Sequence, residues 1–301
     1  MESSLYPDMT SCRLCPRRCG VDRVSGQIGV CGMPNTLYIS RSAPHMWEEP
    51  PISGTRGSGT VFFTGCNLRC VFCQNRTISR EGVGYPVTEK ELTDKILELQ
   101  DMGVHNVNLV TPTHYTAQLA RVLEKIKPRL HIPVVWNSSG YESVDALRLV
   151  EGLVDIYLPD FKYLSPELAK AYSAAPDYAD VATEAVKEMY RQVGKFVLDA
   201  DGIMTRGMIL RHLVLPGCRA DSMAVLRHMA DILPSAHIRV SIMRQYTPDF
   251  AMDCPHKNLR RRVTDFEYTS VLDEAARLGL DGYSQGKDAA DKIFTPDFEG
   301  K

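Results

Sequence analysis

Residues 64–75, TGCNLRCVFCQN, set Cys66, Cys70 and Cys73 in a Cys-x3-Cys-x2-Cys pattern. Thiolates spaced this closely can share one metal centre, and iron–sulfur cubanes are ordinarily held by four of them. With three, one iron keeps an open coordination position. A closed zinc site would need a fourth donor from elsewhere, for which His114 and Cys218 are the candidates. The motif follows directly on the apolar run VFFTG, read as a strand. Ligands of α/β folds collect beyond the carboxyl ends of strands, a placement that chance clustering of buried thiols does not explain.

A second set, Cys12-x2-Cys15-x3-Cys19-x11-Cys31, offers four soft ligands, enough for either tetrahedral zinc or an iron–sulfur cluster. The spacing leaves both open. Arg13, Arg17, Arg18 and Arg23 share the loop, where positive charge offsets the negative charge of metal-bound thiolates. Zinc there would chiefly brace the module, whereas a cluster could pass electrons. Cys218, after Gly217 at a strand end, reads as a small buried residue, and Cys254, beside His256 in MDCPHKN, as part of a surface loop.

The rest of the composition narrows the field. With 35 Lys and Arg against 37 Asp and Glu, the net charge is −2, and no broad basic field advertises nucleic-acid binding. The basic run Arg260, Arg261, Arg262 reads as a solvated face. Nine cysteines is an odd number, which argues against a disulfide framework and for metal or catalytic use. No apolar run approaches the roughly 18 residues of a membrane span, and MESSLYPDMTSC lacks the basic and apolar regions of a secretory signal, so a cytoplasmic protein is expected.

These side chains need elements to hold them. Residues 1–58 are rich in Cys, Pro, Gly and Arg and end in EEPPISGTRGSG, which is poor in apolar residues; they read as a small module plus linker. From Val61 onward apolar runs alternate with helical patterns. Strands are expected near 61, 107, 134, 156, 211 and 240, and Asp201-Gly202 marks a hairpin. Capping signatures open helices at Thr88 with Glu91, at Ser165-Pro166, and at Thr264 with Glu267. Parallel strands require such crossovers, so the pattern predicts an α/β fold: a parallel sheet curved as an open barrel over 59–285, followed by a tail at 286–301. Asp160 and Lys162 alternate with Phe161 on one of these strands, and charges on a buried strand are costly unless paired, which favours function over stability.

Cys66-x3-Cys70-x-Phe72-Cys73 resembles the signature of the radical S-adenosylmethionine (SAM) superfamily, in which Phe72 occupies the usual aromatic position. The resemblance implies a partial (β/α)6 barrel and a 4Fe-4S cluster on the three cysteines. SAM would chelate the open iron and be cleaved by one electron to a 5′-deoxyadenosyl radical that abstracts hydrogen from a substrate. Over roughly residues 60–285 the chain is similar to the pyruvate formate-lyase activating enzymes and their PflX-like relatives. Their Gly-Gly-Glu-Pro stretch is replaced by Thr111, Pro112, Thr113 and His114, and their Asp-Thr-Asn-Gly by Asn137, Ser138, Ser139 and Gly140. Asp160-Phe161-Lys162 matches their Asp-Leu-Lys, and RHLVLPG, with Arg211, His212 and Gly217, matches their fifth strand. These positions are implied to surround SAM. Gln245-Tyr246-Thr247 stands where they carry Pro-Tyr-His, a departure that bears on the substrate.

The expected protein is therefore a radical SAM oxidoreductase. It would act on a protein, peptide or small molecule, with a glycine in a partner protein first in rank, and take electrons from a reduced flavodoxin- or ferredoxin-type donor. The rival is a metal-thiolate scaffold that grips RNA or protein without radical chemistry; the neutral charge balance weighs against it.

Overall fold

A computed structural model describes residues 7–290 together with Pro296 and Phe298. Residues 1–6 of the N-terminal module and most of the tail beyond 290 lie outside the described residues. The strands, in chain order, are β1 (Leu37–His45), β2 (Ser58–Phe63), β3 (Tyr85–Val87), β4 (Val107–Val110), β5 (Val134–Ser138), β6 (Ile156–Pro159), β7 (Val197–Leu198), β8 (Met204–Leu213), β9 (Arg239–Met243) and β10 (Gly282–Ser284). They form one sheet in the order β10-β9-β8-β6-β5-β4-β2-β1-β3, with β7 paired to β8. Because the two ends of that order do not pair, the sheet is an open, partial barrel.

β2, β4, β5, β6, β8 and β9 lie where the apolar runs placed them and pair in parallel along the order. Val61 stands beside Leu109, Leu109 beside Trp136, and Trp136 beside Tyr157, so one layer of large side chains crosses four strands. The Asp201-Gly202 turn joins β7 to β8 as an antiparallel hairpin. Three strands escaped the sequence. β1 and β3 add an antiparallel edge beyond β2, and β10 extends the parallel run beyond β9. Each is short, or polar at alternate positions, which hides it from a search for apolar runs.

The helices are α1 (Pro50–Ser53), α2 (Arg76–Ser79), α3 (Glu89–Asp101), α4 (Thr116–Ile126), α5 (Val144–Arg148), α6 (Pro166–Ser173), α7 (Tyr178–Val193), α8 (Arg219–Ile232) and α9 (Asp265–Arg277). α3 and α9 open with full capping boxes, Thr88 with Glu91 and Thr264 with Glu267. The Ser165 side chain caps α6, with Pro166 in its first turn. Leu92, Ile96 and Leu99 of α3 and Leu119, Val122 and Leu123 of α4 turn inward onto the sheet and join the main core. Burial of each such side chain contributes roughly 1.5–3 kcal/mol.

The stretch EEPPISGTRGSG is not a surface linker. Pro51, Ile52 and Ser53 of α1 are buried, and Ile52 packs with Val135, Ile156 and Ile209 on β5, β6 and β8. A single isoleucine suffices there because the barrel supplies the apolar partners. Among the described residues no helix is long and apolar enough to cross a membrane.

Candidate active site

The chain leaves β2 through Thr64 and Gly65 and turns at once into the three thiols. Phe72, between Cys70 and Cys73, anchors this loop: its ring meets Tyr172 edge-on at 6.5 Å and Tyr246 at 6.0 Å. Cys66 Sγ accepts from the Leu68 N–H at 3.4 Å, Cys70 Sγ lies 3.1 Å from Ser173 Oγ, and Cys73 Sγ lies 3.3 Å from Ser79 Oγ. All three line one cavity of about 460 Å³ at the carboxyl ends of the parallel strands. Burial, reinforced by Cys70 and Cys73, pushes the Cys66 thiol up to about 12. Burial likewise raises Cys73. Such thiols release their protons only to a bound cation.

The fit to a cluster rests on this donor set. A cubane takes one thiolate per iron, so its ligands need a common wall, not a common point. Neither fourth donor suggested by the sequence reaches that wall. Cys218 caps α8, buried 3.9 Å from the Tyr172 hydroxyl, and His114 faces away toward the front module. Among the described residues no three His, Cys, Asp or Glu side chains form a ready site for a single metal ion.

Across the cavity stands a buried polar network. Asp160, just past β6, accepts from Lys162 Nζ at 2.6 Å and from Arg211 Nε at 3.0 Å. Burial opposes its ionisation, but Lys162 and Arg211 outweigh it and hold the Asp160 carboxyl below its ordinary range. Arg211 Nη2 donates to Asn137 Oδ1 at 2.6 Å, and its Nη1 faces Glu48 Oε2 at 3.4 Å. Glu48 Oε1 accepts from Asn108 at 3.0 Å and Asn137 at 3.2 Å. Burial raises the Glu48 carboxyl despite Arg211, and raises that of its neighbour Glu49, whose Oε2 has no hydrogen-bond partner. Asp160 is thus the acid of this wall held in its charged form, between two cations, while burial disfavours the charged forms of Glu48 and Glu49.

Of the residues that the family resemblance put near SAM, Phe72, Thr111, Asn137, Ser138, Asp160, Lys162 and Arg211 line the cavity. Thr111, just past β4, has a left-handed φ of 59°, a backbone state suited to the glycine of the related stretch. Thr113, His114 and His212 are placed elsewhere. Thr113 donates to Glu142 at 2.9 Å, and Nδ1 of His212 bonds the Phe161 carbonyl at 2.8 Å. Strand alternation is the reason for His212: with Arg211 pointing into the barrel, its neighbour points out. His114 sits in a 3-10 turn that folds over the front thiols, its Nε2 on the Thr64 carbonyl at 2.7 Å. Burial and Arg23 drive it down to about 3.

The acids of the supposed linker were missed. Nothing in EEPP signals a barrel wall, because Glu48 meets its partners only through contacts 60 to 163 residues away. The far side of the mouth also draws on late residues: Gln245, Gln285, Gly286, Asp288, Ala289 and Pro296 line it. Gln74 donates to the Gln245 carbonyl at 2.9 Å, tying the thiol loop to the end of β9. Cys254 is buried, its Sγ 3.7 Å from the His256 carbonyl, and lies outside the cavity. The run at 260–262 is spoken for, since Arg260 bonds the Cys254 carbonyl, Arg261 pairs with Glu267 and Arg262 bonds the Ala290 carbonyl.

Comparison with known proteins agrees with this geometry. Residues 60–198 match the sequence profile of the Radical SAM superfamily. The chain is 31% identical over 284 residues to Uncharacterized protein MJ0674 of Methanocaldococcus jannaschii, covering 90% of this chain and 76% of that one. Among solved structures it is similar to Streptococcus suis SuiB bound to precursor peptide SuiA, with a TM-score of 0.51 and 12% identity over 73% of this chain. That match spans only 46% of SuiB. A domain of pyruvate-formate lyase-activating enzyme from Bacteroides vulgatus matches with a TM-score of 0.40 and 11% identity, over 57% of this chain and 92% of that one. From the sequence matches, and with the thiol loop standing at the barrel mouth, the chain belongs to the radical SAM superfamily.

Proposed function

We propose that the chain is an activating-enzyme-like oxidoreductase of the PflX-like kind, acting on a polypeptide. The observation that carries this reading is the shared cavity: three thiols on one wall that neither Cys218 nor His114 joins, and Asp160, Lys162 and Arg211 on the other. When bound, a 4Fe-4S cluster and SAM supply one-electron cleavage of the sulfonium and a 5′-deoxyadenosyl radical. Cys66, Cys70 and Cys73 would hold the cluster. Asn137, Ser138, Lys162 and Arg211 would bind the polar parts of SAM, with Asp160 fixing both cations in place. Phe72, Leu68 and Leu213 exclude water from the cavity.

A cavity of about 460 Å³ is of the size that holds one cofactor or small molecule. With SAM inside, a substrate C–H bond is best presented at the mouth, beside His45 and the exposed Trp47, as a glycine on a polypeptide loop would be. SuiB, whose structure contains a precursor peptide, suggests that this fold can accept one. A flavodoxin- or ferredoxin-type protein would deliver the electron.

The test is anaerobic reconstitution with iron and sulfide, followed by reductant and SAM. The wild-type chain is expected to release 5′-deoxyadenosine, and Cys66→Ala, Cys70→Ala or Cys73→Ala to release none. A fully loaded wild-type protein that forms no 5′-deoxyadenosine ends the reading. Transfer of deuterium from a glycine-labelled polypeptide into that product separates a polypeptide substrate from a small molecule.

A further inference from the structure

Each barrel sulfur has a hydrogen-bonding partner, and the three partners differ in kind. The Leu68 N–H, two residues on, serves Cys66, and the Ser79 hydroxyl, six residues on, serves Cys73. Ser79 lines the cavity, so water or a bound cofactor can replace its hydroxyl. Cys70 instead meets Ser173 Oγ at 3.1 Å, at the end of α6 and 103 residues away. Ser173 is fully buried, and its Oγ also lies 3.0 Å from the hydroxyl of Tyr163, itself only 1% exposed. Water cannot stand in for either hydroxyl at that burial.

The direction of this chain follows from its sulfur end. A thiolate bound to iron carries no proton, so the Ser173 O–H has to donate to Cys70 Sγ. The serine oxygen keeps its lone pairs for the Tyr163 O–H. Burial, and after it Cys70, pushes the Tyr163 phenol well above its usual value, so that its proton stays in place. A buried relay runs from Tyr163 through Ser173 to Cys70, and hydrogen bonds in such a chain strengthen one another.

Several contacts fix the relay against the thiol loop. The Arg69 and Val71 N–H groups donate to the carbonyls of Ser173 and Tyr172 at 3.4 and 2.8 Å, which lays the loop along the end of α6. Arg17 of the front module closes the same joint, donating to the carbonyls of Asn67 at 2.8 Å, Ser173 at 3.3 Å and Ala174 at 2.5 Å. The Cys31 carbonyl accepts from the Cys66 N–H at 3.2 Å. The front thiols Cys12, Cys15, Cys19 and Cys31 wall a separate small pocket of their own.

We infer that Ser173, with Tyr163 behind it, is a positioning residue for the radical chemistry: its hydroxyl orients the Cys70 thiolate and sets how readily the cluster takes up an electron. Reduction places one electron from the donor on the cluster, and the added negative charge is shared with the sulfurs. A hydrogen bond to a sulfur therefore favours the reduced form and raises the potential.

The inference rests on the proposed cluster on Cys66, Cys70 and Cys73, and its test separates the two. Wild type and Ser173→Ala are reconstituted with iron and sulfide, and the SAM-responsive signal is followed by electron paramagnetic resonance through a mediated dithionite titration. Ser173→Ala is expected to keep its iron and sulfide and to shift the reduction equilibrium about tenfold toward the oxidised form, about 59 mV more negative for one electron. Tyr163→Phe is expected to shift it in the same direction by less. Water admitted by a loosened site would raise the potential, so an unmoved or raised value overturns the inference. Where Ser173→Ala holds no cluster, Tyr163→Phe decides by the same sign. A wild-type chain without a SAM-responsive signal overturns the cluster reading, and the inference with it.

Discussion

Asp160 shows how a single side chain can organise a site. Its two oxygens each take a cation, and without it Lys162 and Arg211 would face each other in a buried space. Asp160→Asn is expected to destabilise the fold by about 3–5 kcal/mol in urea unfolding and to weaken SAM binding, measured by equilibrium dialysis, by tenfold or more. His212 makes a contrasting case, since burial drives it down to about 4 and folding keeps it neutral. The unfolded chain takes up a proton near pH 6.5 while the folded chain does not until about pH 4. Stability from this residue is therefore complete above pH 6.5 and is lost as pH falls through that window, by ~1.4 kcal/mol per unit. His212→Gln, which keeps an N–H donor for the Phe161 carbonyl, is expected to flatten the wild-type stability profile between pH 6.5 and 4; an unchanged slope would show that the histidine is not buried neutral.

The capping boxes carry unequal duties. Glu91 closes the box of α3 on an exposed surface, whereas Glu267 also accepts from the Gly217 N–H at 2.7 Å and pairs with Arg261 at 2.7 Å. It thereby ties the start of α9 to the loop that leaves β8. Thr88→Ala should cost about 1 kcal/mol, an ordinary cap loss. Glu267→Ala should cost about 2–3 kcal/mol, since a buried backbone donor and a guanidinium lose their acceptor as well. Thermal unfolding of the two variants in parallel checks the difference; equal losses would mean that the loop contact contributes nothing. Pairing with Arg261 and these N–H donors holds Glu267 well below the usual carboxylate range, so its contribution is present at neutral pH and is lost as the solution is acidified past the ordinary carboxylate range.

Among the contacts between front module and barrel is a close approach at one glycine. Gly65 has φ of +87°, and a Cβ there would meet Met33 Cγ at 2.3 Å and the Cys31 carbonyl at 2.7 Å. Gly103 has a similar φ of +82° but nothing within 4 Å of a Cβ. Gly103→Ala should cost about 1 kcal/mol, the strain alone. Gly65→Ala should cost more, by about 1–3 kcal/mol of overpacking, and should speed proteolytic removal of the module. Equal stabilities and equal cleavage rates would show that the two parts are not docked through this contact.

Local chemistry was legible in the residues. Three thiols after a strand, a second set of four, capped helices and alternating apolar runs all act over a few positions, and their spacing alone constrains what they can do. Convergence of distant side chains was not. Glu48 gains its meaning from Asn108, Asn137 and Arg211, and Ile52 from three strands, none of which EEPPIS can encode. His212 and Arg211 are neighbours that strand alternation sends to opposite sides, and His114 belongs to the front thiols because a turn folds it there. Which thiols stand together follows from the chain; which charges face them follows from long-range packing, where burial makes an ion stable only beside partners that other elements deliver.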